Sequence, residues 1–222
     1  MPVNKKVRTE ELYDCKNEYL CGLFEKSEYP WDILPEIKGY IKKLLEDGIE
    51  GFKLYSEDIL IGENVRIYPN VTIEPPAIIG HGTEIRPGAF IRGNVICGEN
   101  CVIGNSSELK NCVLLDKVQV PHYNYVGDSV LGNHAHMGAG AVCSNLKADG
   151  KNVVVRGGEN YDTGLRKVGG FLADNADVGC GCVLNPGTVI GKNTSVYPQV
   201  SLRGVYPENS IVKDTKTVVE RK

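Results

Sequence analysis

The chain has 222 residues, of which 41% are hydrophobic and 24% are charged, a composition typical of a globular protein. Its formal net charge of −3 gives no sign of the basic surface that nucleic-acid-binding proteins use, and no run approaches the roughly 18 apolar residues that cross a bilayer. We therefore expect neither a nucleic-acid partner nor a membrane partner.

Residues 1–55 are predicted to form a short helical N-terminal segment. Pro35 suits the first turn of its second helix, and Gly48 falls just past the end of that helix. The segment contains no motif with evident chemistry, so we expect a packing or oligomer-contact role. Two sets of apolar residues have the spacing of a helix. They are Leu12, Cys15, Tyr19, Leu20, Leu23 and Phe24 in the first helix, and Ile37, Tyr40, Ile41, Leu44 and Leu45 in the second.

A six-residue repeat defines the second predicted domain, residues 56–215. A small or β-branched residue follows four positions after most of its aliphatic residues, and the register breaks at Pro121-His122 and again in a loop insertion near residues 144–170. Period six fits a solenoid of short strands with a turn every six residues. The aliphatic position is occupied by Ile61, Ile67, Ile73, Ile79, Ile85, Ile91, Cys97, Ile103, Leu109 and Leu115, and later by Leu131, Met137, Leu172, Val178, Leu184, Ile190, Val196 and Leu202.

The eight cysteines are predicted to be reduced structural residues rather than disulfides or zinc ligands. No CxxC pair exists, and the N-terminal basic residues are followed by no apolar stretch of the kind found in secretory signals. We therefore expect a cytoplasmic protein. The repeat requires small apolar residues at the positions of Cys97, Cys101, Cys112, Cys143 and Cys182.

Residues 104–145 carry a more specific signal than the repeat. They contain ELK, a histidine twelve residues after the lysine, and then GAG and an asparagine. This combination resembles the acetyltransferase half of the bifunctional glucosamine-1-phosphate acetyltransferase/N-acetylglucosamine-1-phosphate uridylyltransferases. It resembles still more closely the C-terminal half of archaeal-type sugar-phosphate nucleotidylyltransferases. Both are hexapeptide-repeat acyltransferases.

The resemblance implies a mainly β fold, a left-handed parallel β-helix with three hexapeptides in each triangular coil. It also implies a homotrimer with the site between neighbouring subunits. The implied activity is N-acetylation of an amino-sugar phosphate, such as glucosamine-1-phosphate, by acetyl-CoA, with no metal required. Because no glycine-rich nucleotide loop with a following arginine lies near the N-terminus, we expect no uridylyltransferase activity.

N-acetylation requires a base that removes a proton from the attacking amine, and His122 is the candidate. An imidazole, with an ordinary pKa near 6.5, suits this role at neutral pH. Because His122 falls at a register break, we expect it in a loop or bulge. The resemblance makes His122 the catalytic base and places Glu108 near it to orient the ring. It assigns the amide of Ala139, in Gly138-Ala139-Gly140, to the thioester carbonyl of bound acetyl-CoA; the same three residues also fit a simple corner turn.

Lys110 and Tyr125 match residues that bind the sugar phosphate in the resembled proteins, and Asn145 matches an asparagine near the amine and acetyl groups. Strand alternation puts Glu108 and Lys110 on one face. Arg92 lies eighteen residues before Lys110, one regular coil below it, and would share the phosphate. Arg86 is the alternative, because Arg86-Pro87-Gly88 copies the RPG of the resembled proteins.

The insertion near residues 144–170 contributes further basic residues. Lys151 matches a lysine of the sugar site, while Arg166 and Lys167 are candidates to meet the phosphates of coenzyme A. Two departures concern the amino-sugar end of the site: His136 stands where asparagine is usual, and Leu146 where tyrosine is usual. We retain His136 as a substrate-binding candidate, and the identity of the sugar stays open.

Two other functions are compatible with the repeat. The chain could be a non-catalytic scaffold or regulatory subunit that binds a nucleotide sugar, although ELK, His122, Tyr125 and Asn145 together favour an enzyme. It could also be a metalloenzyme like the γ-class carbonic anhydrases, which bind zinc through histidines. His134 and His136 flank Ala135 for that purpose, but no third ligand is well placed by the stacking of coils.

Overall fold

The computed structural model describes residues 6–221, in which the repeat folds into a parallel β-solenoid. Each coil passes through three faces, which we name A, B and C in chain order. Face A contains β2 (Ile59–Ile61), β5 (Ala77–Ile79), β8 (Val95–Cys97), β17 (Gly170–Leu172), β20 (Thr188–Ile190) and β23 (Val205–Tyr206). Face B contains β3 (Arg66–Ile67), β6 (Glu84–Ile85), β9 (Val102–Asn105), β11 (Gln119–His122), β13 (His136–Met137), β18 (Asp177–Val178), β21 (Ser195–Val196) and β24 (Ser210–Val212).

Face C contains β4 (Thr72–Glu74), β7 (Phe90–Arg92), β14 (Val142–Cys143), β19 (Val183–Leu184) and β22 (Ser201–Leu202). Two longer strands, β10 (Glu108–Leu114) and β12 (Tyr125–Leu131), begin in face C and end in face A. Antiparallel additions are β1 (Lys53–Ser56) on β2, β25 (Val218–Glu220) on β24, and the hairpin of β15 (Val154–Arg156) and β16 (Asn160–Asp162). The prediction of a mainly β parallel solenoid with a short helical N-terminal segment is confirmed.

Coil length explains where the six-residue register breaks. Early coils repeat every 18 residues, as in the pairing of β2 with β5, whereas Cys97 pairs with Leu114, 17 positions further on. The missing residue lies between Leu109 and Leu114, where β10 turns a corner at Asn111 with a φ of 47°. The interior position predicted for Leu115 is therefore filled by Leu114, and that prediction was wrong. Leu115 packs outside the coil.

The interior of the solenoid is one continuous ladder of aliphatic and small side chains. The structure confirms that cysteines fill small positions in it, because none of the five assigned there is more than 1% exposed. Burial raises the pKa of Cys143 to about 11, so its thiol stays neutral and packs as a small apolar group. The five are Cys97, Cys101, Cys112, Cys143 and Cys182.

The N-terminal segment contains α1 (Thr9–Leu12), α2 (Glu18–Phe24), a 3-10 turn (Pro30–Asp32) and α3 (Ile33–Asp47). Pro35 lies in the first turn of α3, and Gly48 follows its end with a φ of 76°, as predicted. Among the described residues, no helix has the length and apolar character needed to cross a membrane.

The helices cover the outer side of face A. They pack there beside β15 of the insertion, and the Trp31 and Phe171 rings lie 6.0 Å apart between centroids. The sequence carries a sign of this packing beyond the six-residue repeat, since face-A strands place a second apolar residue directly before the interior one. These outward residues are Leu60, Ile78, Ile96, Val113, Val130, Phe171, Val189 and Val205.

Candidate functional site

One coil carries the predicted base and the predicted phosphate-binding tyrosine on either side of a corner. β11 ends at His122, the chain turns at Tyr123 with a φ of 53°, and β12 starts at Tyr125 on face C. The next corner follows at Asp128, with a φ of 47°. His122 is exposed and pairs in the ladder with Asn105, so it ends a strand of the solenoid and does not lie in the expected loop or bulge.

The predicted oxyanion donor lies one coil above the predicted base. The Gly140 N–H donates to the His122 carbonyl at 3.0 Å, which stacks the Gly138-Ala139-Gly140 corner directly on the His122 corner. Ala139 is exposed, and its N–H donates to no acceptor among the described residues. A free amide and an exposed imidazole therefore share one edge of face C.

Asn124, which the sequence pattern did not identify, connects these two corners. Its side chain is 2% exposed in the interior, where the Nδ2 group donates to the Gly138 carbonyl at 2.8 Å and to the Ala141 carbonyl at 3.1 Å. Its Oδ1 accepts the His122 backbone N–H at 3.0 Å. Since a buried amide is costly unless its groups are bonded, this network holds the two corners in one arrangement.

Face C brings together the residues predicted to bind phosphate. Glu108 and Lys110 flank the buried Leu109, as predicted, and Arg92 Nη1 lies 2.7 Å from Glu108 Oε1. Among the described residues, the Glu108 carboxylate makes no hydrogen bond with the His122 ring; its recorded partner is Arg92.

Arg86 lies elsewhere, next to face B. Its Nε donates to Glu84 Oε1 at 2.8 Å, and its backbone N–H donates to the Ile103 carbonyl of β9 at 2.8 Å. Arg92, in contrast, follows the β7 residues that pair with Glu108 and Leu109. The one-coil stacking expected between Arg92 and Lys110 is therefore the arrangement that the fold adopts.

The far edge of face C is a polar corner around Asp128. The Asn145 Nδ2 group donates to the Tyr125 hydroxyl at 3.1 Å and to Asp128 Oδ2, while Lys110 Nζ lies 4.0 Å from the same carboxylate oxygen. Burial first, and then the negative charges of Asp128 and Glu108, raise the pKa of Tyr125 above its usual value. The phenol thus stays protonated and can donate a hydrogen bond to a phosphate.

The insertion closes a cleft of about 540 Å³ beside this corner. Leu34 and Pro35 of α3 form one wall, and Asn111, Asp128, Leu146, Leu165, Arg166 and Lys167 complete the lining. Lys151 lies outside that lining and is exposed. The candidate coenzyme-binding residues are not brought together, because Gly138 and Ala139 lie at the opposite edge of face C from Arg166 and Lys167.

His136 occupies the outer side of face B, where its Nδ1 lies 2.7 Å from Asp177 Oδ1. His134 is exposed at the corner that precedes His136 in the chain, and the residue between the two histidines, Ala135, is buried. Within residues 6–221, no group of three or more histidine, cysteine or carboxylate side chains is placed to hold a metal ion. The carbonic-anhydrase alternative gains no support from this arrangement.

Comparison with known proteins agrees with the predicted resemblance. A family described as the GMPPB C-terminal domain matches residues 73–159. Bifunctional protein GlmU of Methanococcus aeolicus is 33% identical over 218 residues, which cover 90% of this chain and 49% of that protein. A bifunctional sugar-1-phosphate nucleotidylyltransferase/acetyltransferase of Sulfurisphaera tokodaii is 34% identical over 180 residues, 76% of this chain and 43% of that protein.

The chain spans about half the length of these curated relatives. A third, GlmU of Methanococcus vannielii, is 27% identical over 224 residues and matches 99% of this chain. The six-residue repeat, the solenoid fold and these similarities together confirm that the chain resembles the bifunctional sugar-phosphate nucleotidylyltransferase/acetyltransferases over about half of their length.

Proposed function

We propose that this protein transfers the acetyl group of acetyl-CoA to the amine of an amino-sugar phosphate. The observation that carries the proposal is the arrangement of face C: His122 and the free Ala139 N–H occupy one edge, and Arg92, Lys110 and Tyr125 lie on the same face, with Lys110 and the Tyr125 hydroxyl toward the Asp128 corner. A base and an amide donor on the same face as cationic groups are what acyl transfer to the free amine of a sugar phosphate requires.

In the proposed mechanism the amine nitrogen attacks the thioester carbonyl carbon while His122 removes a proton from that nitrogen. The Ala139 N–H donates to the oxygen on which negative charge develops. Collapse of the tetrahedral intermediate breaks the carbon–sulfur bond, and protonated His122 returns its proton to the leaving thiolate of coenzyme A. The products are the N-acetylated sugar phosphate and free coenzyme A.

Phosphate recognition is assigned to Arg92, Lys110 and Tyr125, with Glu108 holding Arg92 in place. We expect Lys110→Ala to raise KM for the sugar phosphate by about tenfold or more while changing kcat less, because the ammonium binds a group that does not react. Arg86→Ala serves as the matched control, since Arg86 is paired with Glu84 beside another face. Steady-state kinetics of all three proteins would separate the two positions; equal KM increases would contradict the assignment.

The test of the function is release of free thiol from acetyl-CoA across a panel of amino-sugar phosphates and nucleotide-linked amino sugars. We expect release with at least one sugar 1-phosphate, dependent on the free amine. Binding of acetyl-CoA without release on any member would instead favour the scaffold alternative. Arg166 and Lys167 would then be the first residues to examine for phosphate binding, since they face the cleft beside Asp128.

We further propose that the protein is a cytoplasmic homotrimer. Helices and insertion cover face A, while faces B and C and the Tyr123 ring at their shared corner, 64% exposed, are available to identical neighbours. Light scattering at micromolar concentration is expected to give three times the chain mass of 24.2 kDa. A species of single-chain mass would refute the trimer.

A further inference from the structure

The cleft between α3 and the insertion contains two cations that the proposed mechanism does not use. Arg166 and Lys167 are exposed in its lining, and neither forms an ion pair with a carboxylate among residues 6–221. Arg166 Nε donates to the Gly150 carbonyl at 3.0 Å, which holds the guanidinium by one edge and leaves its two NH₂ groups for another acceptor. A guanidinium next to an ammonium is a suitable site for a phosphate group.

The remaining walls of the cleft are mostly apolar. Leu34 and Pro35 of α3 form one of them, and the half-buried Leu165 belongs to another. The Leu146 side chain also lines the cleft and is 46% exposed, which is unusual for a leucine that no other element covers. The volume of about 540 Å³ lies in the range of ligand clefts. Apolar walls beside cations suit an aromatic ring that carries phosphate groups.

Asp128, the one carboxylate in this lining among the described residues, does not oppose an anion. Only 8% of its side chain is exposed. Asn111 Nδ2 donates to Asp128 Oδ1 at 2.9 Å, and Lys110 Nζ lies 4.0 Å from Oδ2. Its negative charge is therefore met by donors of face C, while the charges that the cleft exposes to a ligand are the positive charges of the insertion.

The cleft continues the line along which the proposed substrate lies. The reacting amine is assigned to the edge of face C that holds His122 and the Ala139 N–H, and the phosphate to Lys110 and Tyr125. Lys110 lies beside Asp128, and Asp128 is part of the cleft lining. A group esterified to that phosphate would therefore point away from the amine and into the cleft.

We infer that the cleft binds the nucleotide of a nucleotide-linked amino sugar, with Arg166 and Lys167 on the second phosphate and the base against Leu146 and α3. This inference rests on the proposed function and names its substrate class. The adenosine diphosphate part of coenzyme A has the same chemistry. Its pantetheine arm, however, would have to cross face C over the proposed sugar position to bring the thioester to the Ala139 N–H at the opposite edge.

The test compares UDP-glucosamine with glucosamine-1-phosphate by calorimetric titration. Wild-type protein should bind the nucleotide-linked sugar at least about tenfold more tightly, the usual worth of a hydrogen bond to a charged group. Lys167→Ala should remove most of this gain and leave the affinity for glucosamine-1-phosphate unchanged. Arg156→Ala is the matched control, because it removes an exposed cation of the same insertion that lies outside the cleft lining, and it should keep the gain.

Leu146→Ser provides a second measurement on the apolar wall. It should fold, since the side chain is 46% exposed, and it should also weaken binding of UDP-glucosamine alone. Titration of Lys167→Ala with acetyl-CoA separates the two sources of a nucleotide, and its affinity should match that of wild-type protein.

Four results would overturn the inference. If wild-type protein binds neither sugar ligand, the proposed function fails together with it. If wild-type protein binds the two ligands equally, or Lys167→Ala keeps the gain, the function stands and the cleft does not hold the nucleotide. If Lys167→Ala weakens binding of acetyl-CoA, the cleft holds the coenzyme instead.

Discussion

Replacing His122 by alanine should lower kcat for acetyl transfer by about 10²–10⁴-fold, the usual contribution of a positioned general base. The fold should survive, because the ring is exposed and the structural contacts of this residue are made by its backbone N–H and carbonyl, to Asn124 and Gly140. Affinity for acetyl-CoA should change little, since the ring does not hold the pantetheine arm.

His134→Ala is the control, because it removes an exposed imidazole from another corner of the same solenoid. It should keep kcat within about twofold, as expected for a surface change away from the chemistry. Retention of near-normal kcat by His122→Ala would exclude His122 as the base. In that event His136, whose ring is already held by Asp177 at 2.7 Å, is the next histidine to replace.

Phe171→Ala should destabilise the protein by about 3–5 kcal/mol, the cost of removing a large buried aromatic side chain. Phe171 is fully buried between face A and the N-terminal segment, and it lies 6.0 Å from Trp31 between ring centroids. The resulting cavity would open at the contact that joins helices to solenoid. Denaturant unfolding, followed by circular dichroism and by the emission of Trp31, the only tryptophan, would measure the loss.

Phe90→Ala is the control for Phe171→Ala. Phe90 is only half-buried on face C, so its loss should cost about 1 kcal/mol or less. Equal destabilisation by the two replacements would contradict the claim that the N-terminal helices stabilise the protein by packing on face A. A fluorescence transition that precedes the circular dichroism transition in Phe171→Ala would show the helices detaching before the coils unfold.

The fold was predictable because period six is incompatible with a helix or an ordinary alternating strand. The six-residue pattern predicted the wrong orientation for Leu115 for a local reason. The coil is one residue shorter where β10 turns at Asn111, and the spacing of aliphatic residues does not reveal a shortened corner. The packing of the helices and the insertion on face A was not predicted, for a related reason. A residue such as Val130, directly before the interior Leu131, looks like part of the core until its opposite orientation is seen.

Only those residues of the candidate site that carry exposed charged side chains could be predicted from the sequence. Stacking arithmetic correctly placed Arg92 next to the Glu108 and Lys110 strand. Asn124 and Asp128 were not identified, because each is a buried polar residue whose partners come from other coils. Such partners depend on three-dimensional neighbours, and a sequence pattern that records spacing alone does not contain them.

The insertion leaves the solenoid after β14 and returns at β17 without disturbing the stack. Val130 still pairs with Phe171 and Val142 with Val183, although 41 positions separate each pair. In a stack held by nearest-neighbour contacts, the part of such a segment that does not pack on face A can change in length or composition at little cost to the coils. Selection can therefore act on the segment bearing Arg166 and Lys167 independently of the base corner. New sugar preferences can then arise by replacement of one loop while the catalytic coil is inherited unchanged.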